Sequence, residues 1–329
     1  MTHKFIGTTL LFLFSLSVLP RSSRAQAPPL SDDNATALLA KSLAATNLKA
    51  SAKQPFHLTG TVKYKSDGPT LTGRFEILFS RPDRYRINIA IGKTSETQVA
   101  AGDKLYIARS PQKFSPEAWR IAEFLWFPGA GLQTLSSVTI GKSTTYPTVR
   151  VTNNCAEESD ALRTRKACFD PSQGITSFAI QDQNGSRLIE DVVSLGDFHS
   201  VGASRYPGRL TKKSVWDTID ATVDSFTAET AFDESVFTPP ANSITRDWCA
   251  SPQAISGAAS VHYTVTFTMY VYYVLVGTNG RSKKLSFVND PMRAAFTQAR
   301  DTLERKPYPI LTCSGKPIEY EMVVITNSF

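Results

Sequence analysis

Hydrophobic and polar residues alternate along most of the chain, and this period of two indicates strands that bury one face and leave the other in water. Before residue 110 the alternating runs are 56–62, 71–79, 85–91, 96–101 and 104–109. The dipeptide Gly102-Asp103 between the last two runs suits a tight hairpin. Long strands joined by short turns predict an antiparallel meander.

Two segments of the first half have helical spacing instead, each beginning at an N-cap side chain followed by acidic or proline residues. They predict helices over 32–47 and 115–126. The second helix is rich in aromatic residues and places Trp119, Leu125 and Trp126 on one face. Two interpretations stay open: this helix fills the concave face of the sheet, or it is a lid over a ligand cavity in that face.

Alternation resumes at residue 139 and continues to 228, which gives a sheet of about ten strands. A sheet of this size with one apolar face curls, and helices are the natural cover for its concave side. Pro239-Pro240 then begins an irregular stretch that predicts a linker, placed at 241–250. The first domain, over 26–240, is thus predicted to be a large curved antiparallel sheet, a half-barrel, with covering helices.

The last quarter of the chain predicts a second, smaller domain over 251–329. A strand that begins at Val261 ends at the turn Gly277-Thr278-Asn279-Gly280, which returns the chain into a second strand. A helix over 292–303 has one apolar stripe, and 318–327 alternates as the final strand. This β-β-α-β order predicts a helix packed on a small antiparallel sheet and assigns the whole chain to the α+β class.

Two short motifs stand out in the first domain, Arg81-Pro82-Asp83-Arg84-Tyr85-Arg86 and Arg205-Tyr206-Pro207. Together with the order of helices and strands, they make roughly 28–240 similar to the LolA and LolB lipoprotein carriers of the bacterial envelope. The resemblance implies a half-barrel whose concave face holds acyl chains. The residues assigned to that ligand-binding face are Phe75, Ile77, Phe79, Ile87, Ile89, Trp119, Leu125 and Trp126.

The C-terminal segment combines the hairpin turn and amphipathic helix with Arg305-Lys306-Pro307 and with Ser314-Gly315-Lys316-Pro317 before its last strand. In this combination, about 250–329 resembles the C-terminal domain of the TonB energy transducers. The resemblance implies that the last strand pairs with an extended peptide of an envelope protein. The residues assigned to this partner contact are Ile318, Tyr320, Met322 and Val324.

The N-terminus has the pattern of an export signal. Lys4 precedes an apolar run over 5–19, and Ser23-Arg24-Ala25 offers a cleavage site. An uncleaved membrane anchor is the alternative, although this run is shorter than the roughly 20 residues of a membrane span. We therefore expect a periplasmic protein of a Gram-negative type of envelope, with 1–25 as its signal peptide.

Composition supports a globular chain and argues against nucleic acid as a partner. Of 329 residues, 41% are hydrophobic and 20% are charged, as is typical of globular proteins. Residues 1–25 hold three cations and no acid, so their removal lowers the net charge from +7 to +4. A charge of this size is too small to indicate nucleic-acid binding.

All four cysteines follow the predicted cleavage site, and an exported chain can form disulfides. Three pairings are possible. We favour Cys155 with Cys168, which flank a polar loop between strands, and by elimination Cys249 with Cys313. A metal site is the alternative, but the chain has no C-x-x-C spacing and its histidines are scattered.

Short catalytic motifs are missing from the sequence: it has no H-E-x-x-H, no G-x-S-x-G and no phosphate-binding loop. We therefore expect a non-enzymatic binding protein without a cofactor, which holds an apolar molecule, a lipid or a lipoprotein acyl chain in its half-barrel. Its C-terminal module would serve protein interaction. The alternative function is a TonB-like accessory of envelope transport or energy transduction that binds a partner peptide at its last strand. An enzyme without a short motif is a further alternative.

Overall fold

A computed structural model of the protein describes residues 41–42, 44–48, 52–65, 68–110, 121, 125, 150–152, 155–159, 163–170, 174–184, 187–202, 204–213, 217–249, 255–256, 269–287 and 300–327. The predicted signal peptide, the beginning of the strand predicted from Val261, and both Trp119 and Trp126 lie outside these ranges. Within them, no helix has the length and apolarity needed to cross a membrane.

Thirteen strands form one large antiparallel sheet. They are β1 (Phe56–Lys65), β2 (Leu71–Arg81), β3 (Arg84–Ile91), β4 (Thr94–Ala101), β5 (Lys104–Arg109), β6 (Arg150–Thr152), β7 (Cys155–Ser159), β8 (Arg163–Asp170), β9 (Gly174–Asn184), β10 (Arg187–Val201), β11 (Ser204–Lys213), β12 (Thr218–Ala228) and β13 (Ile244–Asp247). Their order across the sheet is β13-β5-β4-β3-β2-β1-β12-β11-β10-β9-β8-β7-β6. Among the described strands β13 and β6 form the two edges, so the sheet is open.

The alternation in the sequence becomes the two faces of this sheet. In β1, Phe56, Leu58 and Val62 are buried, whereas His57 and Thr61, on the opposite parity, are not. The predicted large antiparallel sheet is therefore confirmed. Its covering helices stay a prediction: residues 41, 42, 44 and 45 are helical, as are Ile121 and Leu125, and the rest of both predicted helices lies outside the described ranges.

Strand β13 departs from the predicted linker over 241–250. Its residue Ile244 lies opposite Ile107 of β5, and Asp247 lies opposite Lys104. Without β13, the outer edge of β5 would expose unpaired backbone N–H and C=O groups, and the pairing satisfies them. The Nζ atom of Lys104 is 2.5 Å from Oδ1 of Asp247, an ion pair that fixes this register.

The polar face of β3 and β4 is covered by the segment that leads from β12 to β13. This segment contains a short 3-10 turn at Glu234–Phe237, capped by the side chain of Asp233. Phe237 is buried, and Arg86 donates a hydrogen bond of 3.0 Å to the carbonyl oxygen of Val236. The polar face of the sheet is therefore partly closed by the chain itself.

The C-terminal region forms two three-stranded sheets. The strands are β14 (Ile255–Ser256), β15 (Met269–Val276), β16 (Ser282–Phe287), β17 (Thr312–Cys313), β18 (Lys316–Pro317) and β19 (Tyr320–Asn327), in the orders β14-β17-β18 and β16-β15-β19. The predicted hairpin turn joins β15 to β16, and Gly280 has the positive φ (+70°) that this turn requires. Residues 300–305 are helical, at the end of the helix predicted over 292–303. The TonB-like character of this region stays a prediction.

Both favoured disulfides are present. Cys155 and Cys168 are directly opposite in the β7–β8 pair, 13 residues apart in sequence. Cys249 follows β13 and bonds Cys313 of β17, 64 residues away, so this disulfide joins the edge of the large sheet to a C-terminal sheet. Two disulfides fit a location in the oxidising cell envelope.

Replacing the pair Cys249 and Cys313 by alanine should destabilise the protein more than replacing Cys155 and Cys168. The longer loop restricts the unfolded chain more strongly, so we expect losses of about 4 and about 3 kcal/mol in the free energy of unfolding. Urea denaturation of the two double variants beside the oxidised wild type measures both losses. An equal or reversed order would contradict this expectation.

Candidate functional site

One face of the large sheet is mostly apolar. The five sheet residues predicted to bind ligand all lie on it, each no more than 3% exposed: Phe75, Ile77, Phe79, Ile87 and Ile89. They sit on neighbouring strands, with Ile77 opposite Ile87 and Phe75 opposite Ile89. The structure thus brings this part of the predicted site together, as a buried surface and not as an open cavity.

A glycine allows the aromatic part of this surface to pack closely. A Cβ atom at Gly60 would lie 2.1 Å from Cζ of Phe75, so the phenyl ring of Phe75 crosses β1 where no side chain stands. The register between β1 and β12 shifts at the same point, between Thr59 and Gly60. Any larger residue at Gly60 would displace the ring of Phe75.

The cover of the apolar face comes from separate segments of the chain. Leu48, Ile121, Leu125 and Tyr273 belong to the same buried cluster as the face. Leu125 is therefore placed with the predicted sheet residues. Because none of these four residues belongs to the large sheet, the cover is held by side-chain packing and not by the hydrogen bonds of that sheet.

A row of stacked rings crosses five strands at one end of the apolar face. Its members, in spatial order, are Phe79, Phe56, Phe226, Tyr206 and His199. The distances between neighbouring ring centroids are 4.8, 5.1, 4.8 and 5.3 Å. Phe79 is buried and His199 is exposed, so this aromatic row leads from the interior to the surface.

A charged cluster interrupts the apolar face beside β5. The register places Glu96 opposite both Ile89 and Arg109, so its carboxylate points to the apolar side. Arg109 donates from Nε to Glu96 (2.5 Å) and from both Nη atoms to Glu321 (2.7 and 2.6 Å). The ring of Tyr273 covers the guanidinium, with 3.9 Å from its centroid to Cζ. We call Glu96, Arg109 and Glu321 the buried triad.

Burial and neighbouring charges shift the pKa values of two members of the triad. Burial raises the pKa of Glu96 above its ordinary value, against the opposing effect of Arg109. Burial alone would lower the pKa of Arg109, but its hydrogen bond to Glu321 and the two carboxylates raise it. Arg109 therefore stays cationic, whereas burial favours the protonated form of Glu96.

A second buried ion pair lies on the same face near the β11–β12 hairpin. Nζ of Lys212 is 2.9 Å from Oδ1 of Asp217, and both side chains are less than a tenth exposed. Arg109 and Lys212 thus each have carboxylate partners supplied by the chain. Neither needs a ligand to balance its charge.

The polar face carries a groove of about 560 Å³ lined in part by Thr59, Arg74 and Asp224. At its floor, Glu76 accepts hydrogen bonds from His57 (2.9 Å) and Asn88 (2.8 Å). These side chains satisfy one another, as expected for a solvated sheet face. In the described part of the chain, no three His, Cys, Asp or Glu side chains are grouped so as to hold a metal ion.

The predicted partner-binding residues lie at the final strand. β19 pairs with β15 and, among the described strands, has no neighbour on its other side. Met322 and Val324 belong to β19, whereas Ile318 precedes it and donates its backbone N–H to Leu311. Tyr320 is buried, and its hydroxyl donates to the carbonyl oxygen of Pro309 (2.6 Å). Its side chain therefore packs inside the C-terminal region, and its part in a partner contact would be limited to its backbone.

These features define a class: an open antiparallel sheet protein with one buried apolar face and a cover of separate segments. No family profile and no curated protein matches the chain. Solved structures similar to it include a LolA superfamily protein from Nitrosomonas europaea, with 11% identity, a TM-score of 0.36, and coverage of 62% of this chain and 97% of that one. Another is an outer membrane lipoprotein-sorting protein domain from Vibrio parahaemolyticus, with 9% identity, a TM-score of 0.38, and coverage of 63% and 97%. A DUF1329 family protein from Desulfovibrio piger has 9% identity, a TM-score of 0.38, and coverage of 62% and 97%.

The buried triad is not among the site residues predicted from the sequence. The contact between Glu96 and Arg109 could have been predicted from the hairpin at Gly102-Asp103. Pairing the two strands outward from Ala101 and Lys104 brings Glu96 opposite Arg109. Glu321 lies 212 residues from Arg109, and no local pattern indicates that contact.

Glu96→Gln should flatten the dependence of stability on pH. The pKa of Glu96 in the folded state is raised above the ordinary 4.5, so above that pH the folded state keeps a proton that the unfolded chain has lost. The contribution of Glu96 to the free energy of unfolding is therefore fully present below pH 4.5 and is lost as pH rises through the folded pKa.

Thermal unfolding at a series of pH values measures this effect. On raising the pH, the wild type should lose stability relative to Glu96→Gln. The exposed Glu304 provides a control, since Glu304→Gln removes one carboxylate from the surface and not from the apolar face. Parallel curves for the wild type and Glu96→Gln would contradict the role given to burial.

Proposed function

We propose that this protein is an exported, non-enzymatic binding protein that holds a hydrophobic ligand against the apolar face of its large sheet. The ligand class is an apolar small molecule or the acyl chain of a lipid or lipoprotein. The periplasm is the proposed location, and the two disulfides support it.

The observation that carries this proposal is the way the apolar face is covered. In the described part of the chain, one layer of sheet supplies most residues of the buried cluster, and the cover from outside that sheet includes Leu48, Ile121, Leu125 and Tyr273. The contacts of Leu48, Ile121 and Leu125 within this cluster are side-chain packing, and such contacts can be broken while the hydrogen bonds of the sheet stay intact. An acyl chain can then replace the cover's contacts with contacts of the same kind.

The charges on the face favour an uncharged ligand. Arg109 and Lys212 already have carboxylate partners at hydrogen-bond distance. A ligand that carried its own charge into this region would be desolvated without gaining a free counter-charge. The part of the ligand that enters should therefore be hydrocarbon, with any head group left at the surface.

Hydrocarbon burial supplies enough free energy for such a site. Each buried methylene contributes about 0.8 kcal/mol, so ten enclosed methylenes supply on the order of 8 kcal/mol before ordering costs. Displacing the cover costs part of this gain. The balance is compatible with a carrier that binds and releases its ligand.

Ile77→Trp should weaken the affinity for a fluorescent fatty acid by roughly tenfold or more. The added ring takes up space on the apolar face, and we expect a loss of binding free energy above ~1.4 kcal/mol. Leu78→Trp is the matched control. It adds a similar volume at the next residue of β2, on the opposite face. Titration of the delipidated full chain with the probe measures both affinities, and circular dichroism verifies folding.

Native mass spectrometry of gently purified wild type should reveal lipid adducts that disappear on denaturation. This measurement stands even if Ile77→Trp fails to fold. Wild-type protein that carries no lipid and takes up no fatty acid or phospholipid would overturn the proposal. Equal uptake by both tryptophan variants would show that the ligand does not bind at the apolar face.

A second candidate function, partner binding by strand addition, is favoured by the position of β19 at a sheet edge. An extended peptide can pair with the outer backbone groups of such a strand. Asp247 accepts a hydrogen bond of 2.8 Å from the backbone N–H of Glu319, so the chain just before β19 is already engaged. The later residues of β19 are therefore the proposed contact.

Val324→Pro should abolish capture of envelope partners, because proline removes a backbone donor in β19. Pull-down from an envelope extract compares this variant with the wild type. The fatty-acid titration on the same variant shows whether the large sheet is intact. Undiminished capture by Val324→Pro would rule out strand addition at β19.

A further inference from the structure

The hairpin turn between β15 and β16 lies against the end of the C-terminal helical segment. Arg281 donates from Nη1 to the carbonyl oxygen of Arg305 (3.1 Å), and the backbone N–H of Tyr308 donates to Gly280 (2.8 Å). Cγ1 of Ile310 would lie 3.2 Å from a Cβ atom at Gly280. These contacts bring together Arg281, Arg305, Lys306 and Ile310, which we call the basic tip.

The basic tip combines positive charge with an exposed apolar side chain. Arg281, Arg305 and Lys306 are all exposed, and Ile310, at 49%, is the most exposed large hydrophobic side chain among the described residues. The stretches 277–287 and 305–319 contain six Lys and Arg residues and one acid, Glu319, whose Oε1 atom lies 2.5 Å from Nζ of Lys283. The exposed Glu304 bonds Arg300 at 2.7 Å, so it is engaged elsewhere.

The segment that carries Ile310 is held firmly. Tyr308 and Tyr320 are both buried, and their hydroxyls donate to the carbonyl oxygens of Leu303 (2.8 Å) and Pro309 (2.6 Å). Burial also raises the pKa of Tyr308 to about 12, so its hydroxyl keeps the proton that it donates. Ile310 is thus presented at the surface by a fixed backbone.

We propose that the basic tip docks on the anionic head groups of a membrane leaflet, with Ile310 inserted among them. Cations close to an anionic bilayer gain free energy with every head group they approach, and an apolar side chain at their centre gains by leaving water. An acidic protein would pair with the charges, whereas a membrane leaflet offers both anionic head groups for the cations and an apolar interior for Ile310. This docking does not depend on the ligand proposed for the large sheet.

Flotation of the full chain with phosphatidylcholine vesicles, with and without phosphatidylglycerol, tests the proposal. We expect binding only with phosphatidylglycerol and a decrease at high salt. The double variant Arg305→Glu/Lys306→Glu should bind the vesicles more weakly by about tenfold or a larger factor, since it reverses two charges near the surface. Ile310→Ser should weaken binding at unchanged charge.

Lys63→Glu/Lys65→Glu is the matched control, because it reverses two exposed charges on β1 of the large sheet. It should bind vesicles as the wild type does. Absence of wild-type binding to phosphatidylglycerol, or equal losses in both double variants, would overturn docking by the basic tip. Loss in the tip variant with none in Ile310→Ser would overturn the insertion of Ile310, because the basic residues alone would then account for the contact with the head groups.

Discussion

A buried guanidinium connects the two regions of this molecule. Arg109 ends β5 of the large sheet, yet its bidentate partner Glu321 belongs to β19 and its aromatic neighbour Tyr273 belongs to β15. Exposed ion pairs contribute about 0 to 1 kcal/mol, whereas leaving one member of a buried pair without its partner costs about 3 to 5 kcal/mol. The C-terminal region therefore cannot separate from β5 without exposing or stranding three charges. The fold holds its second region in place through this cluster, the disulfide Cys249–Cys313, and the bridge from Asp247 to Glu319.

The large sheet was predictable because its physical cause is local. Apolar residues at every second position bury one face, and short turns such as Gly102-Asp103 set the register between neighbours. The same register would have revealed Glu96 opposite Arg109 on the apolar side. The favoured cysteine pairs were accessible for a similar reason, since Cys155 and Cys168 flank one hairpin. Of the candidate site, the sequence could therefore predict the five residues of the sheet that share a face.

What the sequence could not predict depends on contacts between distant segments. The stretch predicted as a linker contains β13 because the edge of β5 offers unpaired backbone groups to it. The sequence of Ile244–Asp247 alone does not indicate that it pairs with this edge. Tyr320 is buried and its hydroxyl donates to the carbonyl oxygen of Pro309, and an alternating pattern cannot distinguish such a residue from one at an exposed sheet edge. Likewise, alternation predicts that Phe75 and Ile89 face inward but not what covers them. Leu48 and Tyr273 reach the same buried cluster from regions more than 200 residues apart.

The two ends of the apolar face differ in how firmly they are closed, and this difference bears on how the proposed ligand would enter. At the β5 end, the buried triad and the disulfide after β13 tie the cover to the sheet. At the opposite side of β1, the aromatic row runs outward through Phe226 and Tyr206 to the exposed ring of His199. Stacked rings offer a ligand apolar contacts at each step, without charges to desolvate. Among the described residues, this row joins the buried face to an exposed side chain away from the triad, so a ligand that approached along it would leave the triad intact.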